Sequence, residues 1–168
     1  MKYLAFLILL STTMLLNGQT FNINTKGATV DFNYVSEKTK GALGEVAATL
    51  KIDRKKLGSA TVSGSVDVST LTTGNKMRDK HLKSKDFFDA ATYPTMTFVS
   101  SAVYQEGEDF FAKGKLTIKD ITKEVVFKIN NKEDKLLFKT TIYAADVGVA
   151  IKKDREKSMV DIVVTIPM

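Results

Sequence analysis

The sequence contains no cysteine and no tryptophan, and its only histidine is His81. Without thiols there are no disulfides, no Cys-ligated zinc, no iron–sulfur cluster, no thiol nucleophile and no lipid anchor on an N-terminal cysteine. One imidazole leaves almost no material for a nitrogen-rich metal site or a histidine relay. Long hydrophobic runs are also missing. The strongest runs Tyr3–Leu10, is broken by Ser11-Thr12-Thr13, resumes at Met14-Leu15-Leu16 and ends at Asn17-Gly18, too short for a membrane span. What remains is 168 residues, 43% hydrophobic and 26% charged, the composition of one globular domain. The net charge of +6 permits contact with anionic surfaces without requiring nucleic acid.

The opening segment has the order of a secretory signal: a positive start at Lys2, an apolar stretch, then small and polar residues. Cleavage is expected near Gly18, with residues 1–18 as leader and 19–168 as a single domain. A short uncleaved anchor fits less well, because no stop-transfer charges follow at once. Lys2 is the one charged residue removed, which leaves 24 basic and 19 acidic residues and a charge of +5. The chain is thus expected to be exported and to be held together by packing alone.

Period-two alternation dominates the rest. Apolar positions recur at Val30, Phe32 and Tyr34, at Val46 to Ile52, at Ala60 to Val68 and around Met96 and Phe98. They recur again at Phe110 to Ile118, Val125 to Ile129, Leu136 to Ile142 and Val160 to Ile166. This predicts about eight strands, separated by turn residues such as Lys55 to Gly58, Glu106-Gly107-Glu108 and Asn130 to Asp134. Only about twenty residues near 72–92 look helical, too few to cover such a sheet, so the apolar faces must cover each other. Hairpin-length connections favour a closed antiparallel up-and-down barrel over a sandwich. Ala48, Ala60, Gly64, Ala112 and Gly114 sit where a filled barrel would carry larger residues, which implies room inside. The competing explanation is that opposing phenylalanines fill the gap.

The least generic stretch runs from Thr72 to Asp89. Gly74-Asn75 reads as a turn into a short helix, Ser84 is placed to cap a second one, and Tyr93-Pro94 forces an extended exit. Thr73-Gly74-Asn75, Arg78-Asp79, His81-Leu82, Ser84, Asp86-Phe87-Phe88-Asp89 and Tyr93-Pro94, with Thr97-Phe98 after them, resemble the YceI-like polyisoprenoid-binding proteins. Gly114 to Lys119 with Thr122-Lys123, Gly41 and Gly44, and Asp146 with Gly148 resemble the same family. The resemblance covers essentially the whole chain after the leader. It implies a lipocalin-like barrel in the bacterial periplasm, holding the tail of an isoprenoid such as a quinone. Two positions depart from the pattern: Asp120 stands where the family usually has Gly, and Ala144 where it usually has Arg before the late Asp-x-Gly.

The expected fold is therefore an eight-stranded antiparallel up-and-down barrel, lipocalin-like, with a short helical segment near 72–92. Phe32, Val46, Leu50, Val66, Val68 and Phe98 are the first lumen candidates, followed by Phe110, Leu116, Phe127, Phe138 and Ile142. Met77, His81, Leu82, Phe87 and Phe88 are the candidates for the mouth. A one-residue slip in register would turn every one of these side chains to the other face. A catalytic reading would pair His81 with Asp79 or Asp86 and recruit Ser84 as nucleophile. All four crowd one short segment without a Gly-x-Ser-x-Gly elbow or an oxyanion hole, so a loop-pinning histidine is the better reading. Arg78 and Asp79 read as a structural pair. No catalytic residue, metal or cofactor is expected beyond a bound isoprenoid lipid. Lys76, Arg78, Lys80, Lys83 and Lys85 form one basic run and Lys51, Arg54, Lys55 and Lys56 another. They read as solvated loops, or as a lip that touches anionic membrane heads in passing. Nucleic acid is not expected, since no exposed aromatic row interleaves these charges. The rival from another class is a ligand-free barrel acting as a stress-related or interaction module.

Overall fold

The computed structural model describes residues 19–22, 25–52, 60–152 and 154–167. The expected leader, the Lys55 to Gly58 turn and most of the second basic run lie outside the described residues. One ten-stranded antiparallel sheet forms the body, in the order β1-β4-β5-β6-β7-β8-β9-β10-β2-β3. The strands are β1 (Gln19–Asn22), β2 (Thr29–Tyr34), β3 (Thr39–Leu43), β4 (Ala47–Ile52), β5 (Thr61–Asp67) and β6 (Thr95–Glu106). They continue with β7 (Asp109–Ile118), β8 (Ile121–Asn131), β9 (Lys135–Tyr143) and β10 (Met159–Pro167). The curled antiparallel sheet expected from alternation is present, but as a half-barrel and not a closed one: among the described residues its end strands, β1 and β3, do not pair with each other, and these are the two strands beyond the expected eight.

The sheet curls because each strand has one apolar face to bury. Val30, Phe32 and Tyr34 of β2 stand opposite Val164, Ile162 and Val160 of β10, all on the inner face. β3 has its outer edge covered by the segment after β5: Ala42 and Thr72 exchange two main-chain hydrogen bonds of 2.8 and 2.9 Å. This contact explains Gly41. A Cβ there would lie 2.3 Å from Phe32 Cζ and 2.6 Å from the Thr72 carbonyl oxygen. β6 is bent by a register shift between Ser100 and Ala102, opposite Gly114. Buried Ser100 accepts the Val62 N–H at 2.7 Å, so the irregularity leaves no orphaned hydroxyl.

The core runs along the barrel in three clusters. One end holds Ala112, Phe127, Phe138 and Ile166. The other holds Tyr34, Ile118, Val147 and Val160, beside Leu43, Val66 and Leu71. The segment 72–92 covers this second end. It contains one helix, α1 (Lys76–Leu82), rather than helix over most of its length. Asn75 caps it, its Oδ1 accepting from the N–H groups of Met77 and Arg78. Ser84 does not cap a second helix; its hydroxyl donates back to the His81 carbonyl at 2.7 Å and the chain continues in turns. Arg78 and Asp79 are not a pair either. Both grip Thr73, Arg78 Nε through the hydroxyl at 2.8 Å and Asp79 Oδ1 through the N–H at 2.8 Å. Asp79 also accepts from the Thr72 hydroxyl at 3.0 Å. Burial opposes ionisation of Asp79, but these Thr73 and Thr72 bonds together hold its pKa below the usual carboxylate value.

Candidate functional site

Between the two packed ends lies a central chamber of about 120 Å³. Val46, Val66, Phe98, Leu116, Phe127 and Phe138, all lumen candidates, wall it. Val30, Val62, Met96, Ile118, Ile162, Val164 and Ile166 also line it, with Ser63, Ser65 and Thr97 as polar members, and all of these were absent from that set, although the same alternation placed several of them on the inner face. Ala48 and Gly64 face each other across β4 and β5 on this wall. The space opposite these small residues is the room that the sequence implied. Phe98 meets Phe127 edge to face at 4.9 Å, the arrangement aromatic quadrupoles favour.

The other lumen candidates stand away from the chamber. Phe32 points inward, but its ring covers Gly41 at the helix-bearing end. Val68, 2% exposed, is buried in the 3-10 turn that follows β5. Leu50 is half-buried, paired with Val62. Phe110 shares the inward parity of Ala112, yet it is 41% exposed because β7 extends past the end of the packed shell. Ile142 packs on the helix-end cluster, beside the junction of β8 and β9. Gly114 is not a space-making residue. A Cβ there would meet the Val99 carbonyl oxygen at 2.3 Å, so glycine serves the close approach of β6.

At the end covered by 72–92, Leu82 and Phe88 pack into the core and plug the shell. Phe87 lies edge-on to His81 at 4.9 Å, and His81 Nε2 is 3.7 Å from Asp86. Met77 points outward, 83% exposed, so it is no part of a lumen mouth in this arrangement. At the late Asp-x-Gly element, Ala144 is buried in the core, and the guanidinium comes from a residue the sequence did not flag. Arg155 donates to both oxygens of Asp146 at 2.8 and 2.7 Å and stacks 3.7 Å over the Tyr143 ring. That bond lowers the Asp146 pKa, with burial acting the other way. Asp120 needs no glycine geometry, because the left-handed residue of its turn is Lys119 (φ 56°). Among the described residues no group of His, Asp and Glu is arranged to hold a metal ion.

A model of the YceI-like domain matches residues 21–168. The chain belongs to the YceI-like family. Protein YceI of Escherichia coli O17:K52:H18 is 33% identical over 88 residues, which span 52% of this chain and 46% of that protein. The matched stretch is thus about half the length of that curated YceI relative. Among solved structures, BcnA of Burkholderia cenocepacia has a TM-score of 0.69 at 26% identity, covering 86% of this chain and 98% of BcnA. A polyisoprenoid binding domain from Saccharophagus degradans has a TM-score of 0.58 at 12% identity, covering 90% of this chain and 99% of that domain. The second likeness is one of fold. It places the YceI-like strands of this chain in a shell shared by distant sequences.

Proposed function

We propose that this chain is an exported, periplasmic binding module that holds the tail of a long isoprenoid lipid, a polyisoprenoid or isoprenoid quinone, for carriage or storage. The observation that carries the reading is the apolar chamber inside the barrel, widened where Ala48 faces Gly64. Family membership and the ligand class named for the Saccharophagus domain supply the choice of isoprenoid. The signal-like order of residues 1–18 supplies the destination.

The chamber, at about 120 Å³, is smaller than the roughly 300–1,000 Å³ of common ligand sites. A long tail therefore enters only if wall side chains swing aside. Met96 and Phe98 are suited to this, one by its unbranched flexible stem and the other by sitting between two clusters. Each methylene taken from water contributes about 0.8 kcal/mol, so ten carbons give about 8 kcal/mol, a micromolar affinity. A tail arriving from a bilayer leaves an equally apolar solvent, and its net transfer is close to neutral. That balance suits reversible carriage. Exposed Met77 beside Lys76, Arg78 and Lys80 gives the chain a means of touching an anionic membrane on the way.

Binding rather than catalysis also agrees with the hydroxyl of Ser84, which is committed to the His81 carbonyl and not to its imidazole. The test is calorimetric titration with farnesol at two temperatures. Saturable binding with a negative heat-capacity change is expected. Absence of binding to farnesol and to longer prenols would leave the interaction-module reading in its place.

A further inference from the structure

α1 has two unlike faces. Leu82 packs on the cluster of Leu43, Val66 and Leu71. Arg78 and Asp79, one helical turn before it, share that inward side and grip Thr73. Lys76, Met77 and Lys80 fall on the opposite side, and no residue of α1 is buried. Met77 is 83% exposed, against 55% for Val99, 45% for Ile151 and 40% for Val126. No core contact accounts for a thioether at this position, and alanine would serve the helix better. A flexible apolar tip suits a surface that must adapt to its partner.

The charge around this tip is positive and unspent. Among the described residues Lys76, Lys80 and Lys85 have no carboxylate within ion-pairing distance. Of the nearby acids, Asp79 is turned to Thr72 and Thr73, and Asp86 faces His81 at 3.7 Å. A second apolar side chain stands at the same end of the barrel. Ile151 follows Ala150, which packs on the cluster that also takes Phe88. Exposed Val126 is set differently, on the outer wall in register with Lys113, whose charge Glu124 meets at 2.9 Å. An isolated apolar tip among free lysines fits a fluid, negatively charged interface. There the tip needs no matching pocket, and every lysine finds a lipid phosphate.

We propose that the outward face of α1 is a docking face for an anionic bilayer. Met77 enters the head-group region between Lys76 and Lys80, and the barrel stands on the leaflet with its capped end down. This deepens the carriage reading by naming the surface on which the carrier lands, and rests on that reading only for its purpose.

The chain has no tryptophan, so Met77→Trp supplies a single fluorescent reporter. Its emission is expected to shift to the blue with vesicles of phosphatidylglycerol and phosphatidylcholine in equal parts, and to stay in place with phosphatidylcholine alone. Val99→Trp, on the barrel wall, should shift with neither. In co-sedimentation with the anionic vesicles, the double variant Lys76→Gln, Lys80→Gln should bind roughly thirtyfold more weakly, at about fivefold for each lysine. Met77→Gln should bind roughly tenfold more weakly. Salt at about 0.5 M should release the unaltered chain. Thermal midpoint and farnesol affinity should be the same in every variant. No vesicle binding by the unaltered chain, binding indifferent to these substitutions, or equal shifts at Trp reporters in place of Met77 and Val99 would overturn the docking face and leave tail binding intact. A blue shift of Met77→Trp that grows with protein concentration in the absence of vesicles assigns the face to a second copy and overturns the bilayer. Vesicle binding as expected, in a chain that does not bind farnesol, upholds the docking face and removes the carriage reading alone.

Discussion

Replacing Ala48 by leucine separates a chamber that holds a ligand from one that is merely loosely packed. Ala48 faces Gly64 and both wall the chamber, so three added carbons enter space that a tail would occupy. At about 0.8 kcal/mol for each displaced methylene, the ligand loses about 2.4 kcal/mol, or roughly fiftyfold in Kd. Stability should move the other way or hold, because the new atoms find partners across an existing void of about 120 Å³. Farnesol titration and urea denaturation on the same preparation read both quantities. Opposite signs distinguish ligand exclusion from misfolding, which would lower both. A stable Ala48→Leu variant that binds farnesol as well as the unaltered chain would refute the reasoning.

The remaining predictions concern the wall and its locks. Gly114→Ala should destabilise the fold by about 1–3 kcal/mol or more, as backbone must yield to the new methyl. Gly64→Ala, whose Cβ would lie 3.3 Å from the Ala47 carbonyl oxygen, should have a much smaller effect; equal shifts in urea midpoint would contradict this account of the two glycines. Arg155→Gln removes the hydrogen bond that lowers the Asp146 pKa. A depressed folded-state pKa contributes stability above the usual value of 3.8 and loses it as pH falls. Both side chains are partly exposed, at 50% and 34%, so the variant should be only slightly weaker near neutrality. That gap should narrow as the pH falls below 3.8 in thermal melts, and a gap independent of pH would contradict the pairing.

Much of the shell was legible from alternation alone, because a strand with one buried face writes its period directly into the sequence. β10 shows this with Val160, Ile162, Val164 and Ile166. β3 left no such mark: Thr39-Lys40-Gly41-Ala42-Leu43 has only one large apolar residue, and its glycine answers to the Phe32 ring and Thr72 rather than to a face pattern. Alternation gave Phe110 the right face but not its depth, since parity does not say where the packed shell ends. Gly114 looked like missing lumen volume because a sequence does not distinguish a glycine that makes room from one that lets two backbones meet. The segment 72–92 was recognisable as a motif, but its helix is short because Ser84 folds back on His81. The limited pairing of β8 with β9 was not read from the sequence, although polar Lys123 and Thr140 interrupt the apolar alternation on the inner face of both strands. The turn Ala144–Val147 after β9 is fixed by Arg155 from further along the chain.

The central claim is that the interior of the barrel accepts an isoprenoid tail. The most direct measurement is mass spectrometry of an organic-solvent extract from protein purified out of its native source. The account predicts a prenyl lipid in near-stoichiometric amount, retained through purification without detergent. Repeated extracts that contain no such lipid, from folded protein, would contradict it.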